Sequence, residues 1–227
     1  MIRHGQASFL ADDYDVLSER GIEQSSLLGD HVVAHGLKLD AIYTGPRKRQ
    51  VDTAAHMIDR ARIGGTELPD AQRLDAFDEY PFEALMKRAL PKLLEDPELA
   101  ALWNGTGDRR HSMSVFIEKV TAKWSAGEID VGDEIESFEH FHGRVTAGLD
   151  EVMQREGRGK SVAVVTSGGP ISQSVKRALN LDQERTWKAS WVIRNASISE
   201  FMYRDDSFSL VSFNATPHLS GTLLTFR

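Results

Sequence analysis

The chain contains no cysteine in its 227 residues. That absence removes disulfides, thiolate metal sites and cysteine nucleophiles together, and it fits a reducing compartment. Long hydrophobic runs are also missing. No stretch approaches the ~18 consecutive apolar residues that a bilayer-spanning helix needs, and the amino terminus lacks the apolar core of a secretory signal. The expectation is a soluble, cytoplasmic protein with no membrane partner. Basic charge is in deficit, with 27 Lys and Arg against 34 Asp and Glu and a net charge of −7. A protein that binds nucleic acid through an overall basic field is thereby disfavoured. A small anion site remains open, because a few convergent arginines set a local potential. There is no internal repeat and no low-complexity linker.

What is present reads as strands alternating with helices. Ser18 is a good N-cap for a helix over 18–35, where Ile22, Leu28 and Val32 fall near helical spacing and Gly36 supplies the stop. The segment "LDAIYTG" (39–45) reads as a short buried strand. Pro46 suits the first turn of a second helix that carries Val51, Ala54, Ala55 and Ile58 inward. A weak strand signal covers 72–78. From about 82 to 128 the pattern becomes a helical insertion, broken by Pro91, Pro97 and the Gly105–Gly107 segment. A longer helix is predicted over 134–155, then a central parallel strand from Val162. That strand ends in a Gly-Gly-Pro turn, and "ISQSVKRALN" continues as a helix. "ASISEFMYR" and "SFSLVSF" alternate like a hairpin. The expected fold is an α/β three-layer sandwich: a mostly parallel sheet flanked by helices, in one domain over 1–227.

Ligands in such folds sit at the carboxyl ends of strands. Three turns there suit a phosphoryl group: Arg3-His4-Gly5, Arg47/Arg49 after the strand at 40–44, and Ser167-Gly168-Gly169 after the strand at 162–166. Arginine matches phosphate oxygens with its planar fork, and glycine turns into helices expose backbone N–H donors.

These residues resemble a family. "RHGQAS" (3–8), "LSERGIEQ" (17–24), "YTGPRKRQVDTA" (43–54) and "NATPHL" (214–219) look like the histidine phosphatase superfamily, also called phosphoglycerate mutase-like. Its members open with Arg-His-Gly, continue with Leu-Thr/Ser-x-x-Gly-x-x-Gln, and carry Ser-Pro-x-x-Arg-x-x-x-Thr-Ala. The resemblance spans nearly the whole chain and places Pro46 and Arg49 on the family's proline and catalytic arginine. It implies a metal-independent, cofactor-free phosphatase acting on a small phosphorylated substrate through a phosphohistidine on His4. Arg3 and Arg49 would hold the non-bridging oxygens, and Gln6, Ser167 and Gly168 would add hydrogen bonds to the phosphoryl group. His218, matching a late family histidine, would support the site from behind by hydrogen bonding. A strand is expected just before Arg-His-Gly. Only Met1 and Ile2 precede it, so either upstream residues are missing, the favoured reading, or that strand is short.

Two departures stand out. Ser167 occupies the place of the family's second histidine, which weakens the expected stabilisation of the transition state. Ala76 occupies the place of the general-acid glutamate. An extended strand would put Asp78 on the face of Ala76, whereas a strand ending earlier would let Glu79 swing in. Either Asp78 or Glu79 is therefore the expected acid. These departures keep a rival alive: a degenerate member that binds phosphorylated ligands with little turnover. A mutase or a protein Ser/Thr phosphatase ranks lower. Among other charged positions, Arg47 and Lys48 read as solvated helix-start charges, with contact to a substrate's outer groups as the alternative, and Asp12, Asp13 and Asp15 as a polar loop. His140 and His142, two apart on a helix, do not share a face for a metal. Trp103, Trp124, Phe138 and Phe141 read as core or interface packing of the insertion, with lining of the substrate mouth as the alternative.

Overall fold

In the computed structural model, which describes residues 1–8, 15–105, 108–205 and 207–226, β-branched runs form strands and amphipathic stretches cover them. The loop positions Asp12, Asp13 and Gly107 lie outside the described residues. In chain order the elements are β1 (Ile2–Arg3), α1 (Glu19–Ala34), β2 (Ala41–Thr44), α2 (Lys48–Ile63), β3 (Ala71–Arg73), α3 (Phe82–Leu93), α4 (Pro97–Trp103), α5 (Arg109–Ser125), α6 (Phe138–Glu156), β4 (Val162–Thr166), α7 (Gly168–Leu179), α8 (Gln183–Trp191), β5 (Ile198–Arg204) and β6 (Ser207–Ala215). A 3₁₀ turn covers Asp75–Phe77.

The sheet order is β3-β2-β4-β1-β5-β6. Pairings β3/β2, β2/β4 and β4/β1 are parallel, and β5 and β6 join antiparallel. Side-chain alternation divides the strands between two cores. Ile42, Ala163 and Val165 pack on Leu28, Val32, Ala54, Met57 and Ile58 from α1 and α2. Ala41, Tyr43 and Val164 face the other way, onto Leu149 and Val152 of α6. Helices therefore cover both faces of a mostly parallel sheet, as the alternation of strand and helix signals predicts. A third apolar cluster joins Leu85, Leu99, Phe116 and Trp124 of α3, α4 and α5 to Phe141 of α6 and Trp187 of α8. Among the described residues no helix is long and apolar enough to cross a membrane.

Several local expectations need correction. Pro46 lies outside α2, because Arg47 is the N-cap. The Arg47 N–H is taken by the Gln50 side chain and the Lys48 N–H by Asp15. Val51 and Ala55 face outward, with Met57 and Ala61 buried in their stead, and Ile22 of α1 is also exposed. Pro91 sits inside α3 rather than breaking it. Its missing N–H costs one bond near the helix end, and the buried face of Leu85, Ala89 and Leu93 carries the helix through. The Gly-Gly-Pro segment is the first turn of α7, where N–H groups have no intrahelical partner and proline is tolerated. The long helix begins at Phe138, capped by Ser137, not at 134. Helix α8, capped by Asp182, is an element that the sequence pattern was not expected to form. Strand β1 is only two residues long, yet it pairs with β4 on one side and β5 on the other.

Candidate active site

Parallel pairing sets three strand ends side by side. Arg3 lies opposite Thr166, and Thr44 opposite Val165, so His4, Gly45 and Ser167 emerge from the sheet as neighbours. The His4 backbone is pinned there: its N–H donates to the Thr166 carbonyl at 2.8 Å, and its carbonyl accepts from the Ala196 N–H at 3.2 Å and Asn195 Nδ2 at 3.3 Å. The Gly5 N–H donates to Thr53 Oγ1 at 3.0 Å, which in turn donates to the Arg49 carbonyl at 2.7 Å. Thr53 thus ties the Arg-His-Gly turn to the second arginine motif. Gly5 also meets Gly21 of α1 closely: a Cβ at either would collide with the other segment's backbone.

The imidazole of His4 has its tautomer set by its partners. Arg49 Nε–H can only donate, and it lies 3.1 Å from Nε2, so Nε2 carries the lone pair. Nδ1 then holds the proton and donates to the Gly5 carbonyl at 2.7 Å. Burial, reinforced by the charges of Arg49 and Arg3, pushes the imidazole well below its usual pKa. It is a neutral, buried ring with one lone pair aimed at a guanidinium.

Arg49 is itself buried, and Asp15 accepts from its Nη1 at 2.7 Å while also accepting the Lys48 N–H at 2.8 Å. Asp15 is thus a site residue that the polar-loop reading missed; its position two residues before the Leu-Ser helix start was the available signal. Arg3 turns its Nη1 to the carbonyls of Ile193 and Phe226. Gln6 Oε1 accepts from the Ser18 hydroxyl at 3.1 Å. Arg47, read as solvated, is paired through Nε with Asp78 Oδ1 at 2.6 Å.

The structure separates the two candidate acids. Strand β3 stops at Arg73 and the 3₁₀ turn follows, so the extended alternation that favoured Asp78 does not apply. Asp78 Oδ1 is held by Arg47 and the Glu79 N–H. Glu79 keeps some exposure as a residue, but its carboxyl is crowded by protein and accepts N–H bonds from Gly169 (3.3 Å) and Tyr80 (3.1 Å). Gly169 leaves room for this carboxyl: a Cβ there would lie on Glu79 Oε1 and press on the packed Tyr80 ring. Burial raises the Glu79 pKa above its ordinary value, against the opposing pull of Arg49, these N–H groups and Arg3.

Ser167 is fully buried as the N-cap of α7, with Gly168 the first helical residue. His218 does not make the hydrogen bond expected of it. Its ring lies 5.7 Å from that of His31 and beside the Ala196 backbone, yet neither nitrogen completes a hydrogen bond. It backs the site one residue removed, through Ala196. Burial, with His31 adding to it, lowers the His218 imidazole to about 4. His140 pairs with Glu136 and His142 with Gln173, on separate contacts. Among the described residues no cluster of three or more His, Cys, Asp or Glu has metal-binding geometry. A cavity of about 370 Å³ between the insertion helices is lined by Arg88, Leu93, Leu99 and Lys123 and includes none of these site residues.

The model of the histidine phosphatase superfamily (branch 1) matches residues 1–216. Solved structures with the same fold include a phosphoserine phosphatase from Entamoeba histolytica in complex with phosphoserine (20% identity, 96% of this chain and 97% of that chain, TM-score 0.63). A phosphoglycerate mutase from Bacillus anthracis also matches (19% identity, 96% and 92%, TM-score 0.62). So does an alpha-ribazole phosphatase from Shigella flexneri (18% identity, 95% and 95%, TM-score 0.63). A search of curated protein sequences gave no match.

Proposed function

The chain belongs to the histidine phosphatase superfamily, and from that premise we propose that it hydrolyses small phosphomonoesters through a phosphohistidine on His4. The observation that carries this reading is the His4 imidazole itself, held neutral with its Nε2 lone pair beside the Arg49 guanidinium. A lone pair facing a cation is where an electrophilic phosphorus with anionic oxygens fits.

In the first step the Arg49 Nε–H passes from His4 Nε2 to a non-bridging oxygen, the freed Nε2 lone pair attacks phosphorus, and the bond to the ester oxygen breaks. Arg49 and Arg3 offset the charge on the non-bridging oxygens of a loose transition state. Glu79, whose burial favours the protonated form, gives its proton to the leaving alkoxide. In the second step the Glu79 carboxylate takes a proton from water, the water oxygen attacks phosphorus, and the P–N bond breaks to restore the lone pair. Asp78 is committed to Arg47 and shapes the turn that presents Glu79. No step calls on a metal ion.

The test compares the wild type with His4→Ala on an aryl phosphate, with chelator present, from acidic to neutral pH. Turnover is expected in the wild type, with a loss of at least ~10³-fold in the variant, since removing a nucleophile disables the whole constellation. Equal rates, or a silent wild type, would sink the reading. The rival, a phosphoryl-group binder without turnover, is favoured by Ser167 and by the protein partners already on Arg49 and Arg3. A wild type that binds orthovanadate but hydrolyses nothing would establish it.

A further inference from the structure

We propose that Gln50 is a positioning residue that aims the Ser167 hydroxyl at the transferring phosphoryl group, with Gly45 making the room for it. The inference rests on the phosphatase reading of the site. Gln50 and Ser167 are both fully buried, so their hydrogen bonds must be satisfied by protein or ligand.

The direction of the relay follows from donors and acceptors. The Arg47 N–H can only donate, and Gln50 Oε1 lies 3.0 Å from it. The Gln50 carbonyl oxygen must therefore face Arg47, which turns the NH₂ group the other way. That group donates to Ser167 Oγ at 2.8 Å and, more weakly, to the Phe77 carbonyl at 3.4 Å. A hydroxyl has one hydrogen and two lone pairs. With one lone pair taken by Gln50, the hydrogen points away from Gln50. Among the described residues Ser167 Oγ donates to no acceptor. Its neighbour across the sheet is His4, by the register that sets Arg3 opposite Thr166. The chain of bonds thus runs from the Arg47 N–H through the Gln50 amide to a serine hydrogen with no acceptor until a phosphoryl oxygen arrives beside His4.

Sterics tie in Gly45. A Cβ at Gly45 would collide with Gln50 Oε1 and with the Phe77 carbonyl oxygen. Gly45 and Ser167 are two positions where this chain carries a smaller side chain than the motifs it resembles, and the Gln50 amide lies against both. The Phe77 carbonyl, which also accepts from Thr166 Oγ1 at 2.7 Å, fixes the backbone just before Glu79. One buried amide therefore sets the serine donor and braces the turn that presents the acid.

The experiment is a double-mutant cycle in kcat/KM on an aryl phosphate, with Gln50→Met, Ser167→Ala and the two combined, each checked by thermal melting. A donor used only in the transition state lowers kcat more than it raises KM. Each single variant is expected to lose on the order of a hundredfold, mostly in kcat, and the double variant no more than the worse single. Losses that multiply, or a Gln50→Met at wild-type rate beside an impaired Ser167→Ala, would overturn the proposal. Gln50→Glu serves as the second variant should methionine fail to fold. It keeps the shape and the acceptor for Arg47 but can only accept from Ser167, which turns the hydroxyl hydrogen inward. Its rate is expected at or below that of Ser167→Ala, and a wild-type rate would overturn the idea. Orthovanadate affinity is measured on the same set. If the wild type hydrolyses nothing, the phosphatase reading fails, and Gln50 is judged on orthovanadate alone: non-additive weakening supports it, while unchanged or additive affinities overturn it. A wild type that neither hydrolyses nor binds orthovanadate overturns both.

Discussion

Around His4 the buried side chains are polar and each is held by a named donor or acceptor, whereas under the insertion they are aromatic and held by shape. His4, Arg49, Gln50 and Ser167 each depend on bonds of about 3 Å whose direction sets a tautomer or a proton. Phe116, Trp124, Phe141 and Trp187 share a cluster of tilted rings held mainly by packing, with the indole N–H groups of Trp124 and Trp187 donating to the Glu136 carbonyl and to Ser125 Oγ. Tyr80 joins the two: its ring packs on Trp124, Phe141 and Trp187, and its N–H donates to Glu79. Exclusion from water acts on both His4 and Glu79, lowering the pKa of the first and raising that of the second. Burial thus favours the uncharged form of each group, the form that the proposed first step uses.

The sharpest way to separate the regions is Glu79→Gln. It should lower kcat/KM on an alkyl phosphate, which reports the first step, by about 10²–10⁴-fold while sparing kcat/KM on an aryl phosphate, whose leaving group needs no proton; hydrolysis of the phosphohistidine, common to both substrates, should slow for either. In the wild type, alkyl turnover should fall as pH rises through the raised Glu79 pKa, since only the protonated carboxyl donates, and the variant should lack that limb. An equal loss of kcat/KM on both substrates would place Glu79 outside proton transfer to the leaving group. Phe116→Ala probes the other region. Loss of a fully buried ring beside Trp103 should cost about 3–5 kcal/mol of stability, with kcat of the folded fraction within a few-fold of wild type. A selective loss of kcat with an unchanged melting temperature would erase the distinction.

His218 tests stability against pH. Its imidazole falls from 6.5 in the unfolded chain to about 4 in the fold, so between those values the unfolded state binds more protons. Stability therefore drops as pH falls from 6.5 towards 4, by about 2 kcal/mol once partial exposure is allowed for. Denaturant titrations of His218→Phe should show a shallower acid limb, reduced rather than abolished because His4 and His31 titrate in the same sense. An unchanged limb would show that His218 does not contribute. The smallest effect is expected from Asp15→Asn, which removes the charge partner of Arg49. A loss of about tenfold in kcat/KM is expected, near the value of one charge-assisted hydrogen bond. Faster turnover would mean that Asp15 restrains Arg49 rather than orients it.

The Arg-His-Gly turn, Arg49, the Ser18 cap and the central strand were all legible in sequence, because each is a local pattern: a motif, a cap or a β-branched run. The choice between Asp78 and Glu79 was not. It turned on where β3 ends and on Gly169 leaving space for a carboxyl about 90 residues away in sequence. The bond expected of His218 failed for a similar reason, since its ring met His31 and Ala196 instead of a site donor. Pro91 was read as a break by its local chemistry, and the packed face of α3 overrode it.

Residue order by itself determined the alternation of strands and helices, the kinds of group available for phosphoryl chemistry and the exclusion of thiol chemistry. Tertiary structure alone decided which carboxyl is presented, which nitrogen of His4 keeps its lone pair and where the hydrogen of Ser167 points. Those choices depend on donors and acceptors from strands distant in sequence meeting within about 3 Å, and on a shared burial that no single segment carries.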